Sequence, residues 1–389
     1  MWIARDNAPL LQLYIRSFPV LVLTGARQTG KSSLLRRSFP DARYLSLDDP
    51  AMAERARTMP AAFLGDLVPP CIIDEIQYAP ELFRAIKARV DADESARPWI
   101  LSGSQTFPLM AGVSESLAGR AGIVELLTLS AGECARAGVG ADPRDHLASG
   151  GYPALRSGSA DPALWFPSYA ATYLERDVRT LLNVANLRDF SRFMRSFALL
   201  TGKILSLSDL ARDVGVAPNT IKAWISVLVA SGLVRLLEPY FRNAGKRLVK
   251  APKVYWMDTG LAAWFMGLRN RAAIDDSPYA GALWETYVFG QIVRSFAARG
   301  ETSPDLWYWR TATGEEVDFI IEAGGRYSLI EAKLGETPGT ESIKGFNAFR
   351  HYYGATSVAA SWVAAPVSAS YALPDGSLVH TFVEPPDLI

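Results

Sequence analysis

Short apolar runs recur through the first 130 residues, at 20–23, 71–73, 99–101 and 123–127. Runs this short are strand-length, and their lack of alternation suits a parallel sheet buried on both faces. Helical spacing intervenes: Leu34 and Leu35 follow the first run, and 78–90 carries apolar residues every three or four positions. A short helical stretch is expected at 114–119, so the pattern alternates strand and helix. Later the rhythm changes. Ser206 opens one predicted helix, Gly215 makes a turn, and Pro218 opens a second helix running to about 230, which is helix-turn-helix spacing. Two strands, 233–240 and 248–256, flank a basic turn at 242–247. A helix at 283–296, a strand at 306–310, and paired strands at 317–321 and 328–333 joined by Gly324-Gly325 complete the pattern.

At 389 residues the chain is long enough for two or three cores, and the changes of rhythm divide it at 1–145, 146–203, 204–280 and 281–389. Forty basic and forty acidic side chains cancel, but unevenly. Residues 151–280 hold 17 basic and 10 acidic groups, whereas 281–389 hold 7 and 13. The basic middle suits phosphate contact. Two cysteines, Cys71 and Cys134, lack partners at metal-ligand spacing, which argues against a disulfide framework or structural zinc and fits a reducing, cytoplasmic setting. No apolar run approaches the roughly 20 residues needed to span a bilayer, and no secretory signal pattern opens the chain, so no membrane partner is expected.

The first strand runs into Gly25-Ala26-Arg27-Gln28-Thr29-Gly30-Lys31-Ser32, followed by Ser33. This strand, glycine loop and helix make a P-loop: the glycines let backbone N–H groups point at phosphate oxygens, and the helix N-terminus adds positive potential. Lys31 would reach the outer phosphates of ATP and Ser32 would place its hydroxyl on Mg²⁺. The second run ends in Asp74-Glu75, a Walker B pattern. There Asp74 would hold Mg²⁺ through water and Glu75 would orient the attacking water. Ser104, past a third strand tip, is either a γ-phosphate sensor or a turn serine. Arg120 is either a guanidinium acting on a neighbouring subunit's nucleotide or a surface ion-pair partner.

Taken in order, Gly25 to Ser32, Ile72 to Glu75, Leu101 to Ser104 and Arg120 resemble an AAA-type P-loop ATPase. Gly150-Gly151-Tyr152-Pro153 resembles the glycine-proline motif of signal-transduction ATPases, which implies that Pro153 lies near the nucleotide base. Together with 173–177, it resembles the lid of a widespread prokaryotic ATPase family that adds a winged helix and a nuclease-like region. The fold implied is α/β: an AAA-type P-loop ATPase module with a helical lid, a winged helix, and a restriction-endonuclease-like C-terminal domain. Lys222, Arg242, Lys246, Arg247, Lys250 and Lys253 would contact DNA phosphates, although winged helices also serve as packing modules. The C-terminal strands resemble the PD-(D/E)xK superfamily, with Asp318 as its aspartate, Glu331-Ala332-Lys333 as its ExK and Glu285 as its helix-borne glutamate. That resemblance implies a metal held by Asp318, Glu331 and Glu285, with Lys333 positioning water.

Three functional readings follow from these motifs. The first is an ATP-hydrolysing, self-assembling, DNA-contacting machine acting on branched or damaged DNA. The others are a nucleotide switch that binds a protein partner, and an ATP-gated, metal-dependent nuclease.

Overall fold

A computed structural model describes the chain except residues 94–96, 105–111, 114, 141, 174–186, 241–250 and 389. The apolar runs of the N-terminal unit form β1 (Val20–Thr24), β2 (Arg43–Ser46), β3 (Cys71–Asp74), β4 (Trp99–Gly103) and β5 (Ala121–Glu125). All pair in parallel, in the order β2-β3-β4-β1-β5. Every residue of β1, β3 and β4 is buried, as expected of strands covered on both faces. β1 lies between β4 and β5, which places its C-terminal end, and the loop that follows, between the tips of those two strands. The expected strand at 123–127 begins and ends two residues earlier, as β5. Leu126 instead crosses over Gly25, its N–H bonded to Thr24 O at 2.8 Å.

The middle contains the predicted helix pair, Leu207–Val214 and Pro218–Ala230. Ser206 caps the first by accepting from the Asp209 amide, and Gly215 ends it in a left-handed conformation, φ +81°. The strands β6 (Val234–Leu237) and β7 (Lys253–Trp256) pair antiparallel, with Leu237 opposite Lys253. Both are shorter than the sequence pattern implies. Beyond β6 the backbone leaves its partner and bonds instead to Tyr308, through Tyr240 N–H at 2.7 Å and Glu238 O at 3.2 Å.

The C-terminal unit is a six-stranded mixed sheet formed by β8 (Leu306–Arg310), β9 (Glu316–Ala323), β10 (Arg326–Ala332), β11 (Val358–Ala364), β12 (Tyr371–Ala372) and β13 (Leu378–His380). Its order is β12-β13-β11-β10-β9-β8, and Gly324-Gly325 turns the β9–β10 hairpin with φ +58° and +79°. The helix Ala280–Ala298 is apolar nearly all round, which a helix buried on most sides requires. It joins β7, the 207–230 helices and the sheet into one hydrophobic core.

Candidate functional site

The P-loop is shaped by backbone that only particular residues permit. Gly25 has φ +144°, and a Cβ there would lie 2.2 Å from the Leu126 carbonyl oxygen, so a side chain is excluded. Gly30 (φ +93°) and Gln28 (φ +63°) are also left-handed. These turns bring the loop round to the N-terminus of the helix Lys31–Ser38. The Lys31 ammonium donates to Gly25 O and Ala26 O, both at 2.9 Å. Thr29 Oγ1 donates to Ala26 O at 3.0 Å, tying the loop across its base. Arg5 braces the outside, donating to Thr29 O at 2.8 Å and Leu127 O at 2.7 Å while paired with Glu133 at 3.0 Å. The sequence pattern did not single out Arg5.

The P-loop and the tip of β3 meet. Ser32 Oγ lies 2.5 Å from Asp74 Oδ2, so the hydroxyl and carboxylate expected around Mg²⁺ are in direct contact. Tyr44 donates to the same carboxylate oxygen at 2.6 Å, and Ser102 donates to Oδ1. Burial and the Asp74 contact push the Tyr44 phenol up to about 12, so it remains a donor at neutral pH. Glu75 takes a left-handed backbone, φ +56°, just past β3. Its carboxylate accepts from Gln77 and from Ser104 Oγ, the latter at 3.2 Å. Arg120 forks onto Asp91 within its own chain, at 2.5 and 3.0 Å.

Lys31, Ser32, Glu75 and Ser104 face a cavity of about 660 Å³. Arg27, Gln28, Gly30, Lys31, Ser32 and Ser33 line the loop side, with Glu75 and Ser104 beside them. Gly25, Ala26 and Thr29 form the inner bend of the loop. Pro153, Trp165 and Tyr169 close the opposite side, and Trp165 stacks on Tyr169 with ring centroids 4.8 Å apart. The cavity thus offers phosphate donors at one end and an aromatic platform at the other. Its residues fit Mg-ATP: Lys31 and the N-terminus of the helix Lys31–Ser38 offer positive charge to phosphate, and the Ser32 hydroxyl and Asp74 carboxylate together would suit the metal.

The carboxylates at the C-terminal site also converge, around an unexpected group. Lys253, expected on an exposed nucleic-acid wing, is 3% exposed. Its ammonium lies 2.8 Å from Glu285 Oε1, 2.5 Å from Glu316 Oε1 and 3.4 Å from Asp318 Oδ1. That corrects its assignment: three carboxylates from the helix Ala280–Ala298 and β9 draw the side chain inward. Burial works against its charge, but Glu285, Tyr255, Asp318 and Glu316 outweigh that penalty and hold its pKa well above the usual value. Tyr255 donates to Glu285 at 2.5 Å. Lys333 pairs with Glu331 Oε1 at 2.7 Å, while Glu331 Oε2 is buried without a partner among the described residues.

Burial and the nearby Asp318 charge raise Glu285 to about 7 and Glu331 to about 8. Asp318 Oδ2 accepts the Ala332 amide at 2.9 Å. A divalent metal does not fit this arrangement, because an ammonium already stands between Glu285 and Asp318. Among the described residues, no group of three or more His, Cys, Asp or Glu side chains is placed to hold a metal. Lys222 is exposed on the second helix of the helix pair, while Arg242, Lys246, Arg247 and Lys250 lie outside the described residues.

Comparison with known proteins agrees with the N-terminal geometry. A family described as an AAA domain matches residues 17–135. Two domains of unknown function, DUF8612 and DUF4143, match 140–272 and 280–383. The chain is 35% identical over 344 residues to the uncharacterised protein Rv2008c of Mycobacterium tuberculosis, covering 86% of this chain and 74% of that protein. The same values hold for Mb2031c of Mycobacterium bovis. Among solved structures, the Walker-type ATPase PABY2304 of Pyrococcus abyssi is similar at 16% identity and a TM-score of 0.45, over 68% of this chain and 96% of that one. No helix among the described residues is long and apolar enough to cross a membrane. The chain belongs to the family of these mycobacterial proteins, and its N-terminal unit is an AAA-type P-loop ATPase domain.

Proposed function

We propose that this protein binds and hydrolyses Mg-ATP at the C-terminal tips of β1 and β3. The contact between Asp74 and Ser32, which lines the P-loop cavity, carries this reading, because it joins the two groups suited to hold the metal with Lys31 and Glu75 at hand. Bound Mg²⁺ would offset phosphate charge. Lys31 would turn from its loop carbonyls to the outer phosphates, and Glu75 would orient water with Ser104 steadying its carboxylate. Pro153 and the Trp165–Tyr169 face would receive the base. Phosphate release with Mg-ATP tests this: Lys31→Ala should lose binding and turnover, whereas Glu75→Gln should keep binding and lose turnover. Equal turnover in wild type and Glu75→Gln refutes the role of Glu75.

The exposed Lys222 and the +7 excess of residues 151–280 support a second part of the reading, contact with DNA phosphates through the helix pair. The Lys253 cluster weighs against an ATP-gated nuclease in this arrangement. Arg120 acting on a neighbour's nucleotide would require self-assembly and release from Asp91.

A further inference from the structure

The three carboxylates around Lys253 come from two elements, the helix Ala280–Ala298 and β9, yet the cation at their centre comes from a third. Lys253 begins β7, whose strand partner is β6 and not the six-stranded sheet. Its ammonium has three hydrogens and faces three carboxylates. Tyr255, two residues along the same strand, bonds the same Glu285 oxygen, so β7 delivers two donors to one carboxylate. Glu316 and Asp318, also two residues apart, present one face of β9 to it. A lysine drawn in merely to neutralise a stray charge would need one partner. This one sits in a cage.

We propose that Lys253 is the resident cation of this cluster: its ammonium takes the position a divalent metal would otherwise occupy, and closes the C-terminal unit to metal. Removing the ammonium should therefore uncover a divalent-cation site built on Glu285, Glu316 and Asp318, the three carboxylates it now holds. The alternative is that Lys253 is only a fold-stabilising ion-pair partner, with no bearing on metal.

Titration of the nucleotide-free full chain with Mn²⁺, read by the electron paramagnetic resonance of free Mn²⁺, separates the two. Wild type should show no site sensitive to Asp318→Asn. Lys253→Met, similar in length but uncharged, should bind one Mn²⁺ per chain at least about tenfold more tightly than wild type, since cation repulsion is removed. Adding Asp318→Asn to Lys253→Met should abolish that site. Thermal midpoints give a second reading: Mn²⁺ should raise the midpoint of Lys253→Met and leave wild type unmoved. Should Lys253→Met fail to fold, Lys253→Met combined with Glu285→Gln removes one negative charge with the positive one and keeps Glu316 and Asp318. A folded variant that gains no Mn²⁺ site overturns the proposal. So does a wild-type Mn²⁺ site lost on Asp318→Asn, and this arm reads out whether or not the Lys253 variants fold.

Discussion

Replacing Glu331 by Gln isolates the electrostatics of the C-terminal cluster, because Gln keeps the shape of the neutral acid and cannot ionise. In the folded chain Glu331 titrates near 8, raised by burial and by Asp318, against an ordinary value near 4.5. The neutral form is therefore favoured by folding. Its contribution is fully present below about pH 4.5 and is lost as pH rises through about 8. At about 1.4 kcal/mol per pH unit the difference is at most about 5 kcal/mol. Glu285 readjusts when Glu331 becomes charged, so about 2–3 kcal/mol is the expected measured gap. Urea midpoints for the two proteins should coincide near pH 4.5, and by pH 9 Glu331→Gln should be the more stable. Taking the difference cancels groups of opposite sign elsewhere, such as the depressed Asp375. A gap that stays constant with pH, or wild type becoming the more stable at pH 9, refutes the reasoning.

Other expectations concern the ATPase unit and its partners. Gly25→Ala should lose nucleotide binding in a fluorescent-nucleotide titration, since its Cβ meets the Leu126 carbonyl at 2.2 Å; binding within about twofold of wild type would mean the loop tolerates a side chain. Tyr44→Phe should raise the Mg²⁺ concentration for half-maximal turnover by several-fold with little change in ATP affinity, because it removes one of the donors that fix the Asp74 carboxylate in place. Arg120→Ala mixed with Lys31→Ala should recover part of the activity that each lacks alone; co-assembled but inactive mixtures would leave Arg120 as the partner of Asp91. Lys222→Ala should weaken DNA binding equally across sequences and flatten its salt dependence in fluorescence anisotropy, and an unchanged slope would make the helix pair a packing module.

What could be read from the sequence was what is contiguous in it. Gly25 to Ser32 spell out the phosphate loop because one turn must be glycine-rich, cationic and followed by a helix, and Asp74-Glu75 follow a run too apolar to be anything but a buried strand. The partners of Asp74 could not be read this way. Tyr44 and Ser102 reach it from β2 and β4, 30 and 28 residues away, and only the order β2-β3-β4 brings them together. Trp165 and Tyr169 look like ordinary core aromatics until the fold sets them with Pro153 across the cavity from the P-loop. Lys253 shows the opposite failure. In a run of basic residues it reads as one more exposed cation, but its burial depends on Glu285 and Asp318, 32 and 65 residues further on. Likewise β6 ends early because 238–240 find hydrogen bonds on Tyr308, which no local pattern reveals.

The central claim is that ATP lies between the P-loop and the Pro153–Trp165–Tyr169 face. Photolabelling with 8-azido-ATP and Mg²⁺, followed by peptide mapping, tests it most directly, because the azide sits on the base. The account predicts label in the helix Pro162–Tyr173, at Trp165 or Tyr169, that excess ATP displaces and Lys31→Ala abolishes. Label elsewhere in the chain, or label in this helix that persists in Lys31→Ala, would contradict it.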